Sequence, residues 1–303
     1  MTRAAGLVRL LAAAAVLTAC TAPSPSAPPS PDHAITVAGF DFPESSVLAE
    51  IYAQALERAG LPVRRELSLG PREIVLPALQ RGLVDLVPEY EGSATAFLGG
   101  TPSRDPAATH TALEGLLASR GLRLGTAAPA QDRNTFVVPA ELAQRHDLHR
   151  LSDLGAIDGT LRLGGPPECP VRPYCLLGLE ERYGLAFDAF VPLDAGGPLT
   201  LQGLRDGFVE VGLFFTTDPI LDTTEFVALA DDRGLQPTER VVPIVRDEIL
   251  DRYGPEVLQV LDEATADLTT SALRAMNATV ADGEAVEDVA RDYLDGRYGP
   301  AAT

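Results

Sequence analysis

The run Ile35-Thr36-Val37-Ala38-Gly39 predicts a short buried strand. Over residues 44–59 the apolar positions Val47, Leu48, Ile51, Tyr52, Ala55 and Leu56 recur at helical spacing and predict an amphipathic helix. Gly60 stands where a helix stop belongs. Residues 63–69 predict a second strand, 72–81 a second helix bent or delayed at Pro77, and 84–87 a third strand that runs into Pro88-Glu89-Tyr90. Strand–helix–strand–helix–strand is the pattern of a parallel, doubly wound sheet, in which ligands bind at the carboxyl ends of the strands. Phe40-Asp41-Phe42 and Glu89-Tyr90-Glu91 fall at such ends.

The middle of the chain repeats the mixture. Residues 136–138, 161–163 and 209–215 predict strands, the last running into Thr216-Thr217-Asp218, and 176–183 and 199–207 predict helices. The last third predicts helices at about 247–253, 255–268, 270–280 and 284–295. Two α/β halves with a helical tail predict two lobes and a cleft between them.

Composition narrows the chemistry. The 303 residues are enough for one large or two medium domains. Asp and Glu number 43 against 24 Lys and Arg, a formal net charge of -19, which disfavours a nucleic-acid partner. There is no Lys at all, so a phosphate-binding P-loop and a Schiff-base amine are excluded. No Gly-x-Ser-x-Gly elbow and no His-Glu-x-x-His helix is present. Carboxylates are abundant, so an exported hydrolase with an acid pair stays open as a rival, although nothing singles out a pair.

The amino terminus reads as an export signal. Arg3 and Arg9 precede an apolar run, Leu10 to Leu17, that is too short to span a bilayer. The run ends in Leu17-Thr18-Ala19-Cys20, which resembles a bacterial lipobox and implies cleavage after residue 19 and lipidation of Cys20. A tether rich in Pro, Ser and Ala follows to about residue 33. The location expected is therefore outside the cytoplasm, held to the cell membrane by the lipid alone. In that oxidising setting Cys169 and Cys175, six apart in a loop rich in Pro and Gly, read as a local disulfide. The competing reading, a metal site, has only the His146/His149 pair to add and no zinc-like cysteine spacing.

A series of short motifs then resembles one family, the extracytoplasmic binding proteins for glycine betaine, choline and related osmoprotectants of ABC importers. Asp41-Phe42-Pro43-Glu44 is similar to the family's Asn-Phe-Thr-Glu after the first strand. Asp85-Leu86-Val87-Pro88-Glu89-Tyr90-Glu91-Gly92 matches its Asp-Leu-x-Pro-Glu-Tyr-x-Gly. Asn134-Thr135-Phe136, Arg172-Pro173, Thr217-Asp218, Leu268-Thr269-Thr270 and Met276-Asn277 continue the series in order, over residues 34–295. The resemblance implies a two-lobed, periplasmic-binding-protein-like α/β fold of type II, with two crossing strands as a hinge. It places lobe one at 34–130 and 238–303 and lobe two at 131–237. It also implies a single-chain binding protein, not an enzyme, without cofactor or metal, that works with a separate membrane permease and its ATPase.

A quaternary ammonium cannot donate a hydrogen bond, so charge and aromatic faces must hold it, each face adding roughly 0.5–2 kcal/mol. Carried over position by position, the family's cage falls on Tyr90, Phe136 and Phe215, with Phe42 near the cleft floor. A fourth aromatic position falls on Glu239. Two readings of Glu239 stay open: direct neutralisation of a cation that lacks a carboxylate, such as choline, or a degraded cage that takes a larger, less charged solute. For a zwitterion, Arg172 is the candidate grip on the carboxylate, assisted by Ser93 and by backbone N–H groups around Asp41. Asn134 and Thr217 complete the expected ligand-binding set. The same fold with an amino acid, polyamine or aromatic ligand is the serious alternative, since fold does not dictate ligand.

Overall fold

A computed structural model of the chain describes residues 34–157 and 159–298. The expected signal, the lipidated Cys20 and the tether lie outside the described residues. No helix among the described residues is long and apolar enough to cross a membrane.

Ten strands form two sheets of five. They are β1 (Ile35–Phe40), β2 (Val63–Gly70), β3 (Leu86–Tyr90), β4 (Leu122–Leu124), β5 (Asn134–Pro139), β6 (Arg162–Gly165), β7 (Ala189–Pro192), β8 (Val211–Phe215), β9 (Phe226–Leu229) and β10 (Val241–Arg246). The first sheet runs β2-β1-β3-β10-β4 and the second β7-β6-β8-β5-β9. Each is the layer of one lobe, with helices on its faces and its own buried apolar clusters. The three strands expected as a doubly wound unit pair in parallel, β2-β1-β3, and in the second sheet β6 and β8 pair in parallel with β7 at the edge, a strand the sequence did not predict.

Beyond that parallel unit each completed sheet is mixed. β10 lies antiparallel between β3 and β4, and β5 antiparallel between β8 and β9. Each is the first strand after the chain has crossed from the other lobe, so it enters its sheet from the cleft side and runs the opposite way. The two crossing segments pair with each other at Gln131 and Arg240, and the Asp132 N–H donates to the Glu239 carbonyl at 2.9 Å.

The helix α1 (Pro43–Arg58) buries all six residues of the predicted stripe, and it buries Ala49, Glu50 and Ala53 as well. The C-terminal helices Glu256–Thr265 and Val286–Leu294 pack onto α1, so it is covered on the side away from the sheet too. Gly60 follows the helix at φ 81°, a left-handed conformation that costs a side-chain-bearing residue energy and costs glycine little. The helix α2 (Arg72–Gln80) runs through Pro77. The predicted helix at 176–183 is instead a short helical turn, Leu176–Gly178, continued by a wider turn, Leu179–Tyr183. The helix α3 (Glu91–Phe97) begins directly where β3 ends.

Candidate ligand-binding site

The carboxyl ends of β1, β3, β6 and β8 and the amino end of β5 converge on one cleft between the lobes. It encloses about 690 Å³ of space, part of it open to solvent. Asp41, Phe42, Tyr90, Ser93, Asn134, Arg172, Phe215 and Glu239 all line it. The strand-end rule thus brings together residues up to about 200 positions apart in sequence.

At the centre is a row of rings. Phe42 stacks on Phe40 at 5.9 Å between centroids, on Tyr90 at 6.4 Å and on Phe215 at 5.8 Å, with interplanar angles of 15°, 27° and 23°. Phe215 belongs to lobe two and the other three to lobe one, so the row spans the cleft. The Tyr90 hydroxyl donates to Glu44 Oε1 at 2.5 Å, which fixes the ring's azimuth and leaves its face to the cleft.

The charges beside the rings are largely pre-paired. Arg72, which the sequence reading passed over, lies over the Phe40 ring and donates to both oxygens of the fully buried Glu89, at 2.7 and 3.0 Å. Arg172 bridges Glu73 of lobe one at 3.0 Å and Glu168 at 3.1 Å. Both guanidiniums therefore already have carboxylate partners, and Arg172 ties the two lobes together at the cleft rim. Asn134 Nδ2 donates to the Tyr174 carbonyl at 2.9 Å and so positions the loop that Cys169 and Cys175 close as a disulfide.

Glu239 is buried at the cleft wall. One of its oxygens accepts from the Ser93 N–H at 3.0 Å and the other from Ser93 Oγ at 2.7 Å. This close approach explains the glycine that ends the Asp85–Gly92 motif: a Cβ on Gly92 would lie 2.5 Å from the Thr238 carbonyl and 2.9 Å from Glu239 Oε1. Burial pushes the Glu239 carboxyl up to about 7, against the lowering effect of the Ser93 bonds and of the Arg72 charge. The next residue, Arg240, pairs with the fully buried Glu91 at 2.8 Å, and His110 approaches the same carboxylate at 2.6 Å.

Two of the expected residues stand elsewhere. Phe136 is 1 % exposed and packs in the lobe-two core with Leu163, Leu213 and the disulfide. Asn134 sits at the cleft edge of β5; two residues along the strand, Phe136 lies opposite Leu213 of β8, inside the lobe-two core. Thr217 is buried at the seam between the lobes, where its N–H donates to Asp132 Oδ1 at 3.2 Å and its carbonyl accepts from Asn277 at 3.1 Å. Phe40 stands at the strand end where the sequence placed a ligand site, though without an assigned role; Arg72, Asp132 and Glu168 on the cleft wall and Glu44 just behind it were not anticipated. Glu44 stood in a motif of the resemblance without a role; Arg72, Asp132 and Glu168 gave no local signal.

The family model describing the substrate-binding domain of ABC-type glycine betaine transport systems matches residues 33–296. The glycine betaine-binding protein YehZ of Escherichia coli is 30 % identical over 83 % of this chain and 86 % of that one. The glycine-betaine-binding protein of Pseudomonas aeruginosa is 29 % identical over 86 % of each. Among solved structures, a glycine betaine/carnitine/choline ABC transporter protein superposes with a TM-score of 0.68 at 22 % identity, covering 87 % of this chain and 99 % of the other. Two sheets joined by a paired crossing, a cleft at their strand ends and a family match over nearly every described residue agree: the chain belongs to the substrate-binding domains of ABC-type glycine betaine transport systems.

Proposed function

We propose that the chain captures a quaternary-ammonium osmoprotectant, glycine betaine, choline or a close relative, in the cleft and delivers it to a membrane permease driven by an ATPase. One observation carries the reading: Phe42 stands between Tyr90 and Phe215, drawn from both lobes, in a cleft whose walls hold more acid than base. Asp41, Asp132, Glu168 and Glu239 face Arg72 and Arg172 there, and both Arg side chains are already paired. A methylated cation would meet aromatic faces and unspent carboxylate charge, the two things that bind a group with no N–H to donate. The binding residues are then Phe42, Tyr90 and Phe215 for the methyl groups, Glu239 with Ser93 for the charge, and Arg172 for any ligand carboxylate. Asp41 and Asn134 serve as rim and loop supports.

The lobes divide at 34–130 with 238–303 and at 131–237, on either side of the Gln131–Arg240 pairing. The protein works as a single chain, carries out no catalysis, and hangs outside the cytoplasm from a lipid on Cys20. Membrane fractionation of the full chain against Cys20→Ser tests the anchor, which requires the variant to leave the membrane fraction. The alternative, the same transport role with an amino acid, polyamine or aromatic solute, rests on Glu239, a carboxylate at a position where the family's cage has a ring.

A thermal-shift panel of glycine betaine, choline, carnitine, proline betaine, amino acids, polyamines and aromatic compounds decides between them. A ligand at about a hundred times its Kd stabilises the protein by roughly 2.7 kcal/mol. A shift with a methylated ammonium that disappears in Tyr90→Ala supports the reading. A shift confined to another solute class replaces the ligand and keeps the transport role.

A further inference from the structure

A carboxylate on a ligand needs donors, and the side-chain donors on the cleft wall are already engaged by the protein's own acceptors. Ser93, one of the groups expected to hold such a carboxylate, donates its N–H to one oxygen of Glu239 at 3.0 Å and its hydroxyl to the other at 2.7 Å. Arg72 directs Nε and Nη2 at the two oxygens of Glu89, at 2.7 and 3.0 Å. Arg172 Nη2 lies 3.0 Å from Glu73 and 3.1 Å from Glu168. The Tyr90 hydroxyl donates to Glu44, and the Asn134 amide to the Tyr174 carbonyl. Both guanidiniums thus face carboxylates before any ligand arrives, and neither brings uncompensated positive charge to it.

We propose that the Glu239 carboxylate fills the position a zwitterion's carboxylate would take, so that the cleft selects a methylated ammonium with a neutral, hydroxyl-bearing tail, of which choline is the type, over glycine betaine. The proposal rests on the reading of the cleft as a quaternary-ammonium site and narrows it. Choline and glycine betaine share the trimethylammonium group that the rings would hold. Phe42, Tyr90 and Phe215 therefore cannot tell the two apart, and discrimination falls on the groups that meet the tail.

Glu239 is 3 % exposed and lines the cleft. A carboxylate has about four acceptor positions, and Ser93 takes two of them. The others can accept from a ligand hydroxyl while the charge faces the ammonium. Towards a ligand carboxylate the same oxygens set like charge against like, in a place largely shut off from water where repulsion is weakly screened. Packing holds Glu239 where it is. A Cβ on Gly92 would lie 2.9 Å from its Oε1, so on that side the carboxylate rests against backbone and has no room to turn aside. Asp41, Asp132 and Glu168 add acid to the same walls.

The experiment is titration calorimetry of choline and of glycine betaine against the wild type, Glu239→Gln and Glu239→Ala. It is run at pH 8, above the value of about 7 to which burial raises the Glu239 carboxyl. The expected result is a wild type that binds choline at least about tenfold tighter than glycine betaine. Both variants should narrow that ratio. Gln removes the charge and keeps the shape, whereas Ala also frees the Ser93 donors and should raise the affinity for glycine betaine. A wild type that binds glycine betaine as tightly as choline, or more tightly, overturns the proposal and leaves the quaternary-ammonium reading standing. An unchanged ratio in both variants also overturns it, because the selectivity would then come from elsewhere. Binding of neither compound overturns the proposal together with the reading beneath it. Should the variants fail to fold, the wild-type ratio decides alone.

Discussion

Replacing Glu239 with Gln should change the pH dependence of stability in a way that can be worked from the site. In the fold Glu239 is pushed up from 4.5 to about 7 by burial, a rise that corresponds to roughly 3 kcal/mol of preference for the neutral form. The sign is set by which state binds the proton better. The folded state does, so the contribution is fully present below pH 4.5 and is lost as pH rises through about 7. Gln carries no charge at any of these pH values. Like the protonated carboxyl, it offers Ser93 one carbonyl acceptor and one donor, and the Ser93 hydroxyl can accept from its N–H.

The assay is guanidinium unfolding of both proteins, without ligand, at intervals from pH 4.5 to pH 8.5. The wild type should lose about 3 kcal/mol relative to the variant between the acid end and pH 8. A difference that stays flat over this range would refute the reasoning, because Glu239 would then titrate alike in both states.

Three further outcomes are expected. Phe42→Ala removes the ring that joins Tyr90 to Phe215 and should weaken methylated-ammonium binding by about 2 kcal/mol, roughly thirtyfold in Kd by titration calorimetry. Arg72→Ala leaves the fully buried Glu89 carboxylate without its guanidinium and should destabilise the protein by about 3–5 kcal/mol in chemical denaturation. Replacing Cys169 and Cys175 together with Ala opens a small loop and should cost about 2 kcal/mol of stability, with affinity falling because Arg172 and Glu168 ride on that loop.

Local patterns carried much of this fold into the sequence. The α1 stripe and the Gly60 stop are decided by residues within one helix length, and both stand where the periodicity put them. The antiparallel placement of β5 and β10 is decided by where the chain re-enters a sheet after crossing, and no period within Val241–Arg246 encodes that. The site divides in the same way. Tyr90, Phe42 and Phe215 sit at strand ends that hydropathy can find. Phe136 has the same local pattern, yet two residues of depth along β5 place it in the core. Arg72 and Glu89, or Glu44 and Tyr90, acquire meaning only when distant segments meet, and a buried charge looks no different in sequence from a solvated one.

Titration calorimetry of the protein with glycine betaine, choline and carnitine, repeated on Phe42→Ala, tests the central claim most directly. The account predicts one saturable site for at least one of these cations in the wild type, with affinity reduced roughly thirtyfold in the variant. Binding of none of the three, alongside saturable binding of a solute that carries no methylated ammonium, would contradict it.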